Sequence, residues 1–244
     1  MWHSKAVPHK KFNAKILIAS QPMLLLQFST SHYCRKARLA LGFKKISYRV
    51  ENLTPGIHSL KVKPLTGTTT LPVLFPEKEG QPTVIGDSTR IFQFLEAFAP
   101  DLPFVPENAT AAAAAWTLED WLDESIGIAT RFVYYDFRSG AGKQLDPSLS
   151  SQLVIQMVRW QSEISPARVQ LARERLEKGL VFLGQRWQES PYLVGDRLSI
   201  ADLAAAALLS PLARIPSYRE GNPWLFQRIT EVHQHCGEPL PPGL

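Results

Sequence analysis

Ser31 and Cys34 stand three residues apart in "FSTSHYCRKARLAL", where an apolar strand-like run gives way to helical spacing. The first turn of a helix presents unpaired N–H groups and partial positive charge, which favour an anion such as a thiolate. Ser31 there is either a helix cap or a hydroxyl aimed at a ligand, and Cys34 is either a reactive thiol or a small apolar residue facing the core. Two further pieces lie downstream. In "TTLPVL", Pro72 removes a ladder donor from a strand-like run. A cis Leu71–Pro72 bond would turn the backbone outward and offer Leu71 N–H and C=O to a peptide-like ligand, although trans is the commoner form. In "GDS", Asp87 and Ser88 precede an apolar-periodic helix. The Ser88 N–H and hydroxyl could receive a carboxylate, or the pair could simply cap that helix.

The elements that must position these residues follow from periodicity. Residues 23–28 and 46–50 read as strands, with a helix over 33–41 closed by Gly42. Residues 54–65 read as loop and short helix, and 71–75 and 83–85 as short strands around a charged turn. Ile91, Phe92, Leu95 and Phe98 share one face of a helix over 88–98. The order βαβ, helix, ββα predicts a small α/β domain over 23–99. A proline-rich linker, 100–106, leads into an all-helical domain over 107–244. There, residues 109–138 read as one long aromatic helix carrying Trp116, Trp121, Phe132, Tyr134, Tyr135 and Phe137. Pro166 follows Ser165 as a first helical residue, and Ser199 with Asp202 forms a capping-box pattern. Residues 1–22 read as a tail.

Composition excludes some classes. The net charge is +5, but Lys5, Lys10, Lys11 and Lys15 in an acid-free stretch account for most of it and leave +1 for the rest. No basic stripe interleaved with aromatics suggests nucleic acid. No segment is long and apolar enough to span a bilayer. Two distant cysteines, Cys34 and Cys236, give neither a disulfide framework nor metal-ligand spacing, so the expectation is a cytoplasmic, metal-free protein.

In their order, "SHYCRKARLAL", "TTLPVL" and "GDSTRIFQFLE" resemble the thioredoxin-like domain of the cytosolic glutathione S-transferases, and "LSIADL" resembles a segment of their helical domain. The resemblance covers roughly residues 23–235. It implies a thioredoxin-like βαβαββα domain followed by an α-helical bundle, a homodimer, bound glutathione, a small apolar electrophile, and a detoxifying transferase activity. Residue by residue, it implies that Ser31 hydrogen-bonds the glutathione sulfur, as in serine-type members. Leu71, before Pro72, would pair with the cysteinyl backbone. Asp87 and Ser88 would hold the γ-glutamyl end, and His58 and Thr70 would lie at the glycyl end. Members that do thiol–disulfide chemistry carry cysteine at the first motif position, where this chain has serine. Cys34 falls at the second, buried position. Tyr33 is a reserve candidate for the sulfur. Two rivals stay open: a glutathione-dependent oxidoreductase working through Cys34, and a non-enzymatic binding or scaffold protein of the same fold.

Overall fold

The structure, a computed structural model, describes residues 22–77 and 80–244. The tail expected over 1–22 lies outside the described residues except for Pro22, and so do two residues of the charged turn, Lys78 and Glu79.

The first half is a thioredoxin-like layer of sheet and helix. Strand β1 (Met23–Gln27) leads through a tight turn into α1 (His32–Phe43), then β2 (Tyr48–Asn52), α2 (His58–Thr66), β3 (Val73–Phe75), β4 (Ile85–Gly86) and α3 (Ser88–Phe98). The sheet order is β2-β1-β3-β4. β1 runs parallel to β2, with Leu25 opposite Val50, as a helical crossover requires. β3 and β4 are antiparallel neighbours, with Leu26 opposite Val73 and Val73 opposite Gly86. Leu25, Leu26, Val73 and Leu74 are fully buried, because this sheet is covered on both faces.

The second half is helical: α4 (Ala109–Trp121), a π-helical turn (Leu122–Gly127), α5 (Ile128–Ser139), α6 (Leu149–Gln161), α7 (Pro166–Glu189), α8 (Ile200–Leu209), α9 (Pro216–Gly221) and α10 (Pro223–His235). Short 3₁₀ turns lie at Lys143–Leu145 and Ser210–Arg214. The long aromatic helix expected over 109–138 is therefore interrupted in register by the π turn. Ser165 caps α7 with Pro166 in its first turn, and Ser199 and Asp202 form a reciprocal capping box on α8. Every residue of α8 is buried, and its alanine run permits close approach to α1. One apolar cluster runs from Met23 and Leu25 through α1 to α8 and Cys236.

Gly42 does not close α1, as its position suggested. It lies inside the helix, where a Cβ would come within 2.2 Å of Cys236 O. Glycine is required there by the returning C-terminal chain rather than by a cap.

Candidate functional site

Sheet topology collects the singled-out residues at one end. The turn after β1 holds Ser31, and the antiparallel pairing of β1 with β3 sets residues 71–72 beside it. β4 ends at the same edge, so Asp87 and Ser88 leave the sheet there too. The turn is closed by Ser31 N–H donating to Phe28 O at 3.1 Å.

Ser31 is half-buried and caps α1, its Oγ accepting from Cys34 N–H at 3.3 Å. That bond uses one lone pair. A hydroxyl has a second lone pair and a proton, so capping leaves Ser31 able to donate to an anion. Cys34 is fully buried, and burial pushes its thiol up, with the Ser31 hydroxyl and the Phe28 backbone offsetting only part of the shift. A thiol held protonated under the helix is a poor nucleophile.

Leu71–Pro72 is a cis peptide. Leu71 lies two residues before the first ladder residue of β3, outside the sheet register. Asp87 caps α3 through Oδ1, which accepts from Thr89 N–H at 2.9 Å and Arg90 N–H at 3.0 Å. Ile91 N–H bonds Asp87 O. Three of the first four helix donors are thus used, and the remaining one belongs to Ser88. Asp87 sits at φ 76°, ψ 134°, a region costly for any residue with a Cβ. Its side chain is exposed, whereas Ser88 is buried.

His58 stacks edge-on against Phe28 at 4.8 Å, and its Nε2 lies 3.0 Å from Thr69 O. A carbonyl only accepts, so Nε2 is the donor in that contact. Nδ1 is buried with no partner among the described residues. Thr70 is exposed and linked to Thr68 through their hydroxyls at 3.1 Å.

The second half reaches the same turn through the π-helical segment. Such a turn breaks the regular i→i+4 carbonyl ladder. Gly127 O receives His32 Nε2 at 3.2 Å, and Asp123 O receives the Tyr33 hydroxyl at 2.9 Å. A Cβ on Gly127 would lie 2.9 Å from the Tyr33 Oη, so the close approach needs glycine. Burial, then the nearby Arg131, depress the His32 pKa well below the usual range, keeping the ring neutral. Burial pushes the Tyr33 phenol upward, and its one proton is already given to Asp123 O. Tyr33 therefore ties α1 to the helical half.

A buried ionic cluster was not foreseen from the sequence. Lys36 Nζ, fully buried on α1, pairs with Glu119 and Asp123 and bonds Thr89 Oγ1, which in turn donates to Glu119 at 2.8 Å. Burial raises the Glu119 pKa, opposed by Lys36. Glu119 and Asp123 are like charges four apart on one helix, an arrangement unfavourable in isolation. That was the available signal that a cation reaches them from elsewhere. Among the described residues, no group of three or more His, Cys, Asp or Glu could hold a metal ion.

Two family models match the chain: "Glutathione S-transferase, N-terminal domain" over residues 25–103 and "Glutathione S-transferase, C-terminal domain" over 166–236. Together they span more than half of the chain, in the order of its two halves. The chain belongs to the glutathione S-transferase family. Solved structures agree in fold. A glutathione S-transferase from Methylobacterium radiotolerans, in complex with glutathione sulfonate, is 24% identical with a TM-score of 0.67, covering 90% of this chain and 95% of its own. One from Methylobacillus flagellatus with glutathione bound is 22% identical, TM-score 0.62, covering 87% and 95%. The β-etherase LigF from Sphingobium sp. strain SYK-6 is 20% identical, TM-score 0.67, covering 87% and 98%. A search of curated proteins found no match. Among the described residues of this glutathione S-transferase family member, no helix is long and apolar enough to cross a membrane.

Proposed function

We propose that this chain is a serine-type glutathione transferase. Glutathione would lie along the sheet end, with its cysteinyl backbone on Leu71 and its γ-glutamyl amino and carboxylate groups on Asp87 and Ser88. Its glycyl end would reach His58 and Thr70. The buried His58 Nδ1, unpartnered among the described residues, is the ring atom left to meet it. Ser31 would donate to the sulfur. The thiolate would attack an electrophilic carbon, forming the S–C bond while the leaving group departs with its electron pair. The cytoplasm suits this chemistry because the thiol stays reduced there.

The observation that carries the reading is Ser31 itself: a half-buried hydroxyl at the N-terminus of α1, capping with one lone pair, its proton left for a ligand while Cys34 stays a thiol. The magnitudes suffice. A thiol pKa of about 8.5 leaves a few per cent thiolate at neutral pH. Lowering it by about two units needs roughly 2.7 kcal/mol. A charge-assisted hydrogen bond supplies about 1.5–3 kcal/mol, and the helix terminus about 0.3–1 kcal/mol. Burial of Cys34 and commitment of the Tyr33 proton to Asp123 O disfavour both as sulfur partners.

The test is the pH–rate profile of Ser31→Ala with saturating glutathione and a chromogenic electrophile. The expected loss at neutral pH is about ten- to a hundred-fold, recovered as pH rises. A profile that matches wild type would leave Ser31 as a cap alone. Glutathione-dependent thiol transfer that disappears in Cys34→Ser would instead favour the oxidoreductase. The family's homodimer belongs to the same reading, and sedimentation should give twice the 27.4 kDa chain mass.

A further inference from the structure

Arg131, Tyr134 and Arg138 lie at i, i+3 and i+7 on α5, along one helical face. Arg131 comes first, against Tyr33 in the first turn of α1, the helix that Ser31 caps. Its guanidinium carbon lies 5.0 Å from the centre of the Tyr33 ring, and it is half-buried. It makes no hydrogen bond or ion pair with another described residue. Farther along the face, the Tyr134 hydroxyl accepts from Arg138 Nη1 at 3.1 Å and from Arg214 Nη1 at 3.3 Å. Arg138 is 6% exposed, and its Nη2 donates to Ser151 Oγ at 3.1 Å. Its Nε is buried with no partner among the described residues.

These three guanidiniums have no carboxylate partner among the described residues. The acid on the same helix, Asp136, is engaged by Arg159 and Arg173. Asp146 is exposed, its Oδ1 accepts from Ser148 N–H at 3.2 Å, and it feels Arg138 without pairing with it. Asp123, Glu124 and Asp87 lie within electrostatic reach of the Tyr33 ring that Arg131 covers, but none of them is ion-paired with it. Burying a guanidinium without full pairing is costly. An anion bound at Arg131 would remove that penalty. Glutathione's own charged ends are assigned to the Asp87–Ser88 and His58 sides of Ser31, so they do not supply it.

We propose that the second substrate is anionic, carrying a carboxylate that Arg131 receives beside the sulfur, with Arg138 and Arg214 reinforcing the field from behind Tyr134. The proposal rests on the transferase reading for calling this anion a substrate. The anion site itself is measurable without turnover.

The experiment uses the full chain saturated with S-methylglutathione, which fills the tripeptide site without a nucleophile. Calorimetric titrations compare 4-ethylbenzoate with neutral 4-ethylbenzamide. The acid is expected to bind at least tenfold more tightly to wild type. Arg131→Gln should bring the two within twofold, and Arg131→Lys should keep most of the preference. Equal affinities in wild type, or an undiminished preference in Arg131→Gln, overturns the proposal. So does competition between benzoate and S-methylglutathione, which would assign the cations to glutathione. A second assay follows glutathione conjugation of 4-(chloromethyl)benzoate and its methyl ester. Acid-selective binding with neither compound conjugated keeps the anion site and rejects the transferase reading. Conjugation of both at equal efficiency does the reverse.

Discussion

At the scale of the residue, Asp87 carries two demands on one side chain. It caps α3 with Oδ1, and it holds a backbone conformation that glycine would occupy more cheaply. A residue kept there despite the strain is doing something a glycine could not. Under the proposed reading, its second oxygen meets the γ-glutamyl ammonium. Asp87→Asn separates the roles, because asparagine caps helices nearly as well and tolerates positive φ. The variant should melt within a few degrees of wild type. It should bind glutathione about 2 kcal/mol more weakly, roughly thirtyfold, once the charge pair is desolvated by the ligand. An analogue lacking the γ-glutamyl amino group should bind both proteins alike. If Asp87→Asn binds glutathione as wild type does, the carboxylate belongs to the cap only.

At the scale of the element, α1, α3 and α4 are joined by the Lys36 cluster. Lys36 has no accessible surface, and neither Glu119 nor Asp123 has water enough to replace it. Lys36→Met should therefore destabilise the fold by about 3–5 kcal/mol, since it strands buried carboxylates. Adding Glu119→Met and Asp123→Leu should recover most of that loss, because an apolar trio avoids the desolvation cost. Urea unfolding of the single and triple variants measures both. Equal losses in the two would mean that Lys36 matters through its packing alone. The cluster also shows where sequence reading stops. Strands, the α7 and α8 starts and the possible cis Leu71–Pro72 bond were legible because each depends on neighbouring residues. Lys36 was not, since a lysine in an amphipathic helix reads as surface until its carboxylate partners, more than eighty residues away, are known. The π turn was equally hidden: nothing local in "LDESIG" distinguishes it from a regular helix, and its carbonyls find His32 and Tyr33 only through tertiary docking. Gly42 carried a true signal for glycine, but the reason lay in the chain end that returns to it.

At the scale of the whole molecule, the C-terminal helix closes the structure back onto α1. Glu238 pairs with Arg38 and accepts from the Tyr48 hydroxyl, and Cys236 O abuts Gly42. Between these contacts lies His233, fully buried on α10. Its Nδ1 lies 2.7 Å from Ile229 O and so donates to it, while Nε2 has no partner among the described residues. Burial, with Arg35 and Arg38 nearby, lowers its pKa to about 4. An unfolded histidine titrates at about 6.5. Below that pH the unfolded chain takes the proton and the folded one does not, so stability falls with pH until about 4. His32, also held neutral by burial, acts in the same sense, whereas the raised Glu119 acts in the opposite one. Comparing a His233 variant with wild type isolates the His233 part. Wild type should lose about 2 kcal/mol more than His233→Leu between pH 7 and pH 5, at 1.36 kcal/mol per unit below 6.5. Chemical denaturation at the two pH values reads this difference even if the substitution shifts absolute stability. Parallel pH profiles for the two proteins would mean that His233 protonates as readily in the fold as outside it, and that the seam between α10 and α1 is open to water.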